Sequence, residues 1–295
     1  MTAPTKSKFA GHKIVANKDG MHIARALSQE FGAEIVRVKC SRFPDKTIDV
    51  RVSDSLHGKD VIIVGHTRFG DDAVEVGLLQ SALRGVGVKS IGTVIPHYPY
   101  GRQDKGKNGE PNGVELMAKV IGNTDWLIVV DPHKRSILKY FDGRAREARC
   151  TRELGEWLQD KMIDLVLAPD EGASHRAKDL GEFLGVPFDN YEKEHLNEFE
   201  VRVKPKKLTR PFGARIAIVD DMISGGGTMI AAAKAAREDG VSYVIAICTH
   251  GLLVGDALES LRAVCDEVVS TDTIRSEVAK ISCVPAILRA LAQNQ

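Results

Sequence analysis

Short apolar runs rich in β-branched residues recur at 13–16, 60–64, 90–95, 125–130, 164–168, 215–219, 243–248 and 267–270. Between most of them, apolar positions return every three or four residues. Runs of this length without polar alternation predict strands buried on both faces, and the intervening period predicts amphipathic helices. Segment 72–84 shows the helical pattern: Val76, Leu79 and Leu83 fall on one face, and Gly85 suits a C-cap. Strand and helix alternating in this way predict an α/β fold of parallel sheets flanked by helices.

A degenerate repeat lies over this rhythm. Residues 61–85 and 216–240 share strand, loop and helix lengths, and Gly85 and Gly240 end the two helices. Where the second copy reads Asp220-Asp221 and Gly225-Gly226-Gly227-Thr228, the first reads Gly65-His66 and Gly70-Asp71-Asp72-Ala73. Two domains are expected, 1–147 and 148–295, with the polar segment 142–149 at the boundary. A length of 295 residues is comfortable for two cores of about 150.

Composition narrows the function classes. Lysine and arginine total 41 against 40 acids, so no global field exists to hold a nucleic acid, and an anionic ligand must be held locally. The five cysteines, Cys40, Cys150, Cys248, Cys265 and Cys283, have neither C-x-x-C spacing nor an even count. They read as small buried hydrophobes in a reducing cytoplasm. No apolar run approaches a membrane span and the first residues lack a signal-like core, so a cytoplasmic protein is expected. There is no G-x-x-x-x-G-K-[ST] and no G-x-S-x-G.

Four segments carry chemistry. The first runs from the strand 215–219 through Asp220 and Asp221 to Ser224, Gly225, Gly226, Gly227 and Thr228, and then into an alanine-rich helix. Acceptor-only carboxylates at a strand end suit the vicinal hydroxyls of a sugar. Glycines, the Thr228 hydroxyl and a helix N-terminus make a nest for its phosphate. An ordinary strand-to-helix turn would explain the glycines but not the paired acids. The second, His97 to Lys107, sets aromatic rings beside Arg102, Gln103, Asp104, Lys105 and Lys107, and suits a nucleoside triphosphate; a stiff surface turn with solvated charges fits the spacing too. Third, His133 and Asp170 each follow a strand. Asp170 with phosphate oxygens suits magnesium, His133 less so, and a hydrogen-bonded core histidine is as good a reading of the latter. Fourth, the charged stretch 191–207, with Lys193 and His195, reads as a mobile flap carrying a catalytic cation or as a solvated hairpin.

At these residues the chain resembles the ribose-phosphate pyrophosphokinases, and the short flap looks most like their archaeal branch. The resemblance rests on Arg42-Phe43-Pro44-Asp45, 95–104, 130–133, 169–172, Glu192-Lys193, 220–228, Thr249-His250-Gly251 and Thr271-Asp272-Thr273-Ile274. It implies two duplicated type I phosphoribosyltransferase-like domains in a homo-oligomer, a dimer or hexamer. It implies transfer of the β,γ-diphosphoryl group of ATP to ribose 5-phosphate with Mg2+. It also implies roles: Phe43 and Asp45 reach the adenine of a neighbouring subunit, Arg102, Gln103 and Asp104 hold ATP, and His133 and Asp170 assist the metal. Lys193 stabilises the transferring diphosphate, with His195 at the flap's second cationic position as a further catalytic candidate, and Asp220, Asp221 and Ser224 to Thr228 hold the sugar phosphate. A weakened regulatory or scaffolding homologue is the alternative, because the chain has His195 where arginine is usual, Thr47 where an acid is usual and Gly225 where threonine is usual.

Overall fold

A computed structural model describes residues 8–104, 106, 108–195, 201–205 and 212–293. The chain forms two compact units, Met1–Arg149 with Val284–Gln295, and Cys150–Cys283.

The first unit holds β1 (Lys13–Ala16), β2 (Glu34–Ile35), β3 (Lys39–Arg42), β4 (Ile48–Arg51), β5 (Asp60–Val64), β6 (Ser90–Ile95), β7 (Trp126–Val130) and β8 (Ala145–Ala148). Six form a wholly parallel sheet in the order β2-β1-β5-β6-β7-β8, and β3 and β4 make a separate antiparallel hairpin. Its helices are α1 (Met21–Phe31), α2 (Gly70–Gly85) and α3 (Gly113–Ile121). On one face Val61 and Ile63 pack with Leu79 and Leu83 of α2. Ile62 and Val64 point the other way and are buried too, which is why these strands read as unbroken apolar runs.

The second unit holds β9 (Leu165–Ala168), β10 (Phe188–His195), β11 (Val201–Pro205), β12 (Arg215–Ile223), β13 (Tyr243–Gly251), β14 (Glu267–Thr271) and β15 (Ala279–Ile281). The order is β11-β10-β9-β12-β13-β14-β15, parallel except for the β10–β11 hairpin. Its helices are α4 (Thr151–Leu158), α5 (Ser174–Leu184), α6 (Gly227–Glu238) and α7 (Ala257–Arg262). The last helix, α8 (Val284–Ala292), packs on β7, β8 and α1, and so belongs to the first unit. The succession β1-β5-β6-β7-β8 in one sheet matches β9-β12-β13-β14-β15 in the other, which is the duplication seen in sequence.

Two strands outrun their sequence-based ends. β12 continues past Val219 to Ile223, and β13 past Cys248 to Gly251, because they pair with each other through Met222 with His250 and Ile223 with Gly251. The acids therefore lie inside β12 and not beyond it. On the other side of β12 the pairing with β9 ends at Ile218 with Leu167, leaving that edge open beside the acids. No helix among the described residues is long and apolar enough to cross a membrane.

Candidate active site

The cradle is built by β12, the turn after it and the start of α6. Asp221 is 3% exposed and its amide donates to Asp220 Oδ1 at 2.8 Å. Burial first, and then the neighbouring Asp221 and Asp170 charges, push the Asp220 carboxyl up to about 8. Cys248, abreast of Asp220 on β13, is itself pushed well up by burial and is a neutral neighbour. Buried carboxyl oxygens at a strand edge are acceptors of the kind that sugar hydroxyls can donate to.

Beyond the acids the three glycines have different reasons for being glycine. Gly226 is the N-cap of α6 with φ 77°, a left-handed backbone that a side chain strains. Gly225 and Gly227 have ordinary φ, and a Cβ at either would meet nothing within 4 Å. Open space on both sides of a helix N-terminus with no side-chain cap is what an anion needs. Restoring threonine at Gly225 therefore costs no packing. On the sugar-phosphate role that the resemblance implies for this turn, Gly225→Thr is expected to lower the KM for ribose 5-phosphate about three- to tenfold through one added hydroxyl contact; an unchanged or higher KM would mean that the phosphate does not sit against residue 225.

The corresponding place in the first unit is closed. A Cβ at Gly65 would come within 2.6 Å of Val76 Cγ2, so no carboxylate fits there. His66 is buried and kept below its usual pKa by desolvation, and its backbone is held on both sides by Asn17. The N-terminus of α2 is capped from within, Asp72 Oδ2 accepting from the Phe69 amide at 2.8 Å, and Asp71 adds a second acid there.

The nucleotide candidates lie in this first unit. Arg102 and Gln103 are exposed on the turn after β6, and that turn packs against His133, since a Cβ at Gly101 would stand 3.2 Å from His133 Cβ. Asp104 is engaged with Lys134 Nζ at 3.0 Å; Lys105 and Lys107 lie outside the described residues. Phe43 and Asp45 occupy the tip of the β3–β4 hairpin, with Phe43 47% exposed. The Thr47 hydroxyl and amide donate to Asp45 Oδ1 at 2.7 and 3.0 Å and hold its carboxyl below the usual range. Thr47 thus supports Asp45 rather than adding an acceptor of its own. Arg42 ties the hairpin to α2 through Asp71 at 2.9 Å.

Asp170 stands in the second unit, where its Oδ1 accepts from the Ala173 amide at 3.3 Å and its charge acts on Asp220. Lys193 and His195 are placed on β10, opposite Val203 and Val201 of β11. Among the described residues no group of three or more His, Cys, Asp or Glu side chains is arranged to hold a metal. An oxygen donor such as Asp170 fits magnesium, which takes one or two protein carboxylates and completes its shell with phosphates and water. These candidate segments stand out in the sequence because each is local; the support that Thr47 gives Asp45 does not.

Known proteins match this chain over most of its length. Residues 12–124 match the family model for the N-terminal domain of ribose phosphate pyrophosphokinase, and 185–288 match the phosphoribosyl synthetase-associated domain. The chain is 34% identical over 285 residues to a ribose-phosphate pyrophosphokinase of Methanopyrus kandleri, covering 94% of this chain and 98% of that protein. It is 36% identical over 283 residues to one of Pyrococcus furiosus, covering 94% and 100%. The chain belongs to the ribose-phosphate pyrophosphokinase family. A crystal structure of phosphoribosylpyrophosphate synthetase from Mycobacterium smegmatis superposes with a TM-score of 0.85 at 26% identity, covering 96% of this chain and all of that one. The family's fold accordingly spans both units.

Proposed function

We propose that the protein is a ribose-phosphate diphosphokinase, which transfers the β,γ-diphosphoryl group of ATP to the anomeric hydroxyl of ribose 5-phosphate and releases AMP. The observation that carries this reading is the open, uncapped nest next to a buried acidic pair, in a chain similar over nearly its whole length to ribose-phosphate pyrophosphokinases. Asp220 and Asp221 accept hydrogen bonds from the ribose hydroxyls, and the amides of Ser224 to Thr228 with the Thr228 hydroxyl take the 5-phosphate. Arg102 forks onto phosphate oxygens of ATP, with Gln103 and Asp104 beside it. Phe43 and Asp45 serve the purine of a neighbouring subunit in a homo-oligomer, a dimer or a hexamer. His133 and Asp170 are the candidate ligands for Mg2+, which would neutralise charge on the transferring group. Catalysis is then mainly in-line positioning and charge stabilisation. The reading makes it a cytoplasmic enzyme of nucleotide biosynthesis, and similarity along the whole chain does not favour the scaffolding alternative.

Incubation with ribose 5-phosphate and MgATP, followed by phosphorus NMR, should show AMP and a sugar diphosphate in equal amounts without ADP. ADP as the sole nucleotide product would contradict the reading. His195 gives a second test. An unperturbed imidazole has a pKa of about 6.5, so a histidine at this position would supply the charge of the family's usual arginine only when protonated. Activity is expected to fall on a limb near that pH, and the limb should vanish in His195→Ala; an identical pH profile in the variant would refute a role for the imidazole.

A further inference from the structure

Six described residues other than glycine have a left-handed backbone: Lys46, Tyr100, Asp131, Asp142, Met162 and Leu253. Asp142 and Met162 are C-caps of short helical turns, where this conformation is routine. Three of the other four adjoin candidate site residues: Lys46 follows Asp45, Tyr100 precedes Arg102 by two, and Asp131 precedes His133 by two. Strain of this kind persists where the surroundings enforce it and collects at functional sites. Leu253, with φ 47°, is the one left without a role.

Its hydrogen bonds supply one. The Leu253 amide donates to the Ile223 carbonyl at 2.9 Å, and the Val254 amide to the Ser224 carbonyl at 3.0 Å. In a trans peptide the C=O and the next N–H point in opposite directions. Fixing the carbonyls of Ile223 and Ser224 toward Leu253 and Val254 therefore turns the N–H groups of Ser224 and Gly225 the other way, and bonding at the carbonyls also polarises those amides. We propose that Leu253 is a positioning residue for the phosphate end of the sugar substrate, its left-handed backbone aiming two amides at the cradle turn and so pointing two cradle amides at the ligand. The proposal rests on the cradle reading above.

The brace is anchored at its root. Thr271 and Thr273 hydroxyls donate to the Thr249 carbonyl at 2.7 and 2.9 Å, and His250 Nδ1 lies 2.9 Å from Thr273 Oγ1. A Cβ at Gly251 would stand 2.8 Å from Ser270 Oγ. The motifs 249–251 and 271–274 thus hold the segment from which Leu253 reaches the cradle. On the far side, Gly226 packs over Ala257 and Leu261 of α7.

Backbone and packing explanations of Leu253 predict opposite rank orders. Valine keeps an apolar side chain but resists a positive φ, whereas asparagine loses the apolar contact and adopts it readily. Calorimetric titration of the full chain with ribose 5-phosphate is expected to show Leu253→Val weakened about tenfold and Leu253→Asn within about twofold of wild type, with the KM for ATP unchanged in both. Asparagine binding more weakly than valine, or valine binding as wild type, overturns the proposal. Should valine prevent folding, Leu253→Gly joins asparagine. Both allow the backbone, so both must retain affinity within about twofold, and weaker binding by either overturns it. A wild-type protein that does not bind ribose 5-phosphate at all would instead remove the cradle reading on which the proposal stands.

Discussion

Replacing Asp220 with asparagine is expected to lower kcat/KM for ribose 5-phosphate by about 10²–10³-fold while raising the melting temperature of the ligand-free protein. The two effects share one cause. The folded protein holds the Asp220 carboxyl at about 8 against an ordinary value of 3.8, chiefly through burial. Ionising it therefore costs free energy in the folded state that the unfolded chain does not bear. That cost is absent below about pH 4, grows as pH rises between the two values and is complete above about 8. Asparagine does not titrate. The stability of the variant relative to wild type should increase from pH 5 to pH 8.5, reaching about 1–4 kcal/mol, as for other buried charges replaced by neutral groups. Thermal melts of both proteins across this range check the sign. A variant that is less stable at every pH would mean that Asp220 is a structural partner and not a ligand group kept at a cost.

Lys193→Ala should produce the largest loss in turnover. Lys193 lies on β10, which runs parallel to β9 over Phe188–Asn190 and then pairs antiparallel with β11. A cation there, acting on charge that develops only as the diphosphoryl group moves, contributes to kcat and little to substrate binding. A fall of about 10³-fold in kcat with both KM values within about threefold is the expected split, and Lys193→Arg should recover part of it. A rise in the KM for ATP with kcat unchanged would instead make Lys193 an ordinary ground-state contact.

The fold was legible where burial is strongest. β1, β5 and β6 have the bounds that their apolar runs predict, because central parallel strands are covered on both faces. β2 and β15 are short, β8 has Arg146 and Glu147 at its centre, and the β3–β4 hairpin is polar and half-exposed, so none carries such a run. β12 and β13 were read short because acids, Thr249 and His250 end the apolar stretch, whereas pairing between the two strands keeps the chain extended. The candidate cradle stood out in the sequence because its parts are contiguous. The Leu253 brace could not, since it comes from far along the chain and its role depends on a φ angle and two backbone bonds. The closure of the first copy was legible as missing acids, but its cause, Val76 filling the space, is a packing fact.

The central claim is that the acidic pair and the amides of Ser224 to Thr228 hold the sugar phosphate. Crystals soaked with ribose 5-phosphate test it most directly. The account predicts the 5-phosphate within hydrogen-bond reach of those amides and two ribose hydroxyls on Asp220 and Asp221; a pentose bound elsewhere, with the turn untouched, would contradict it.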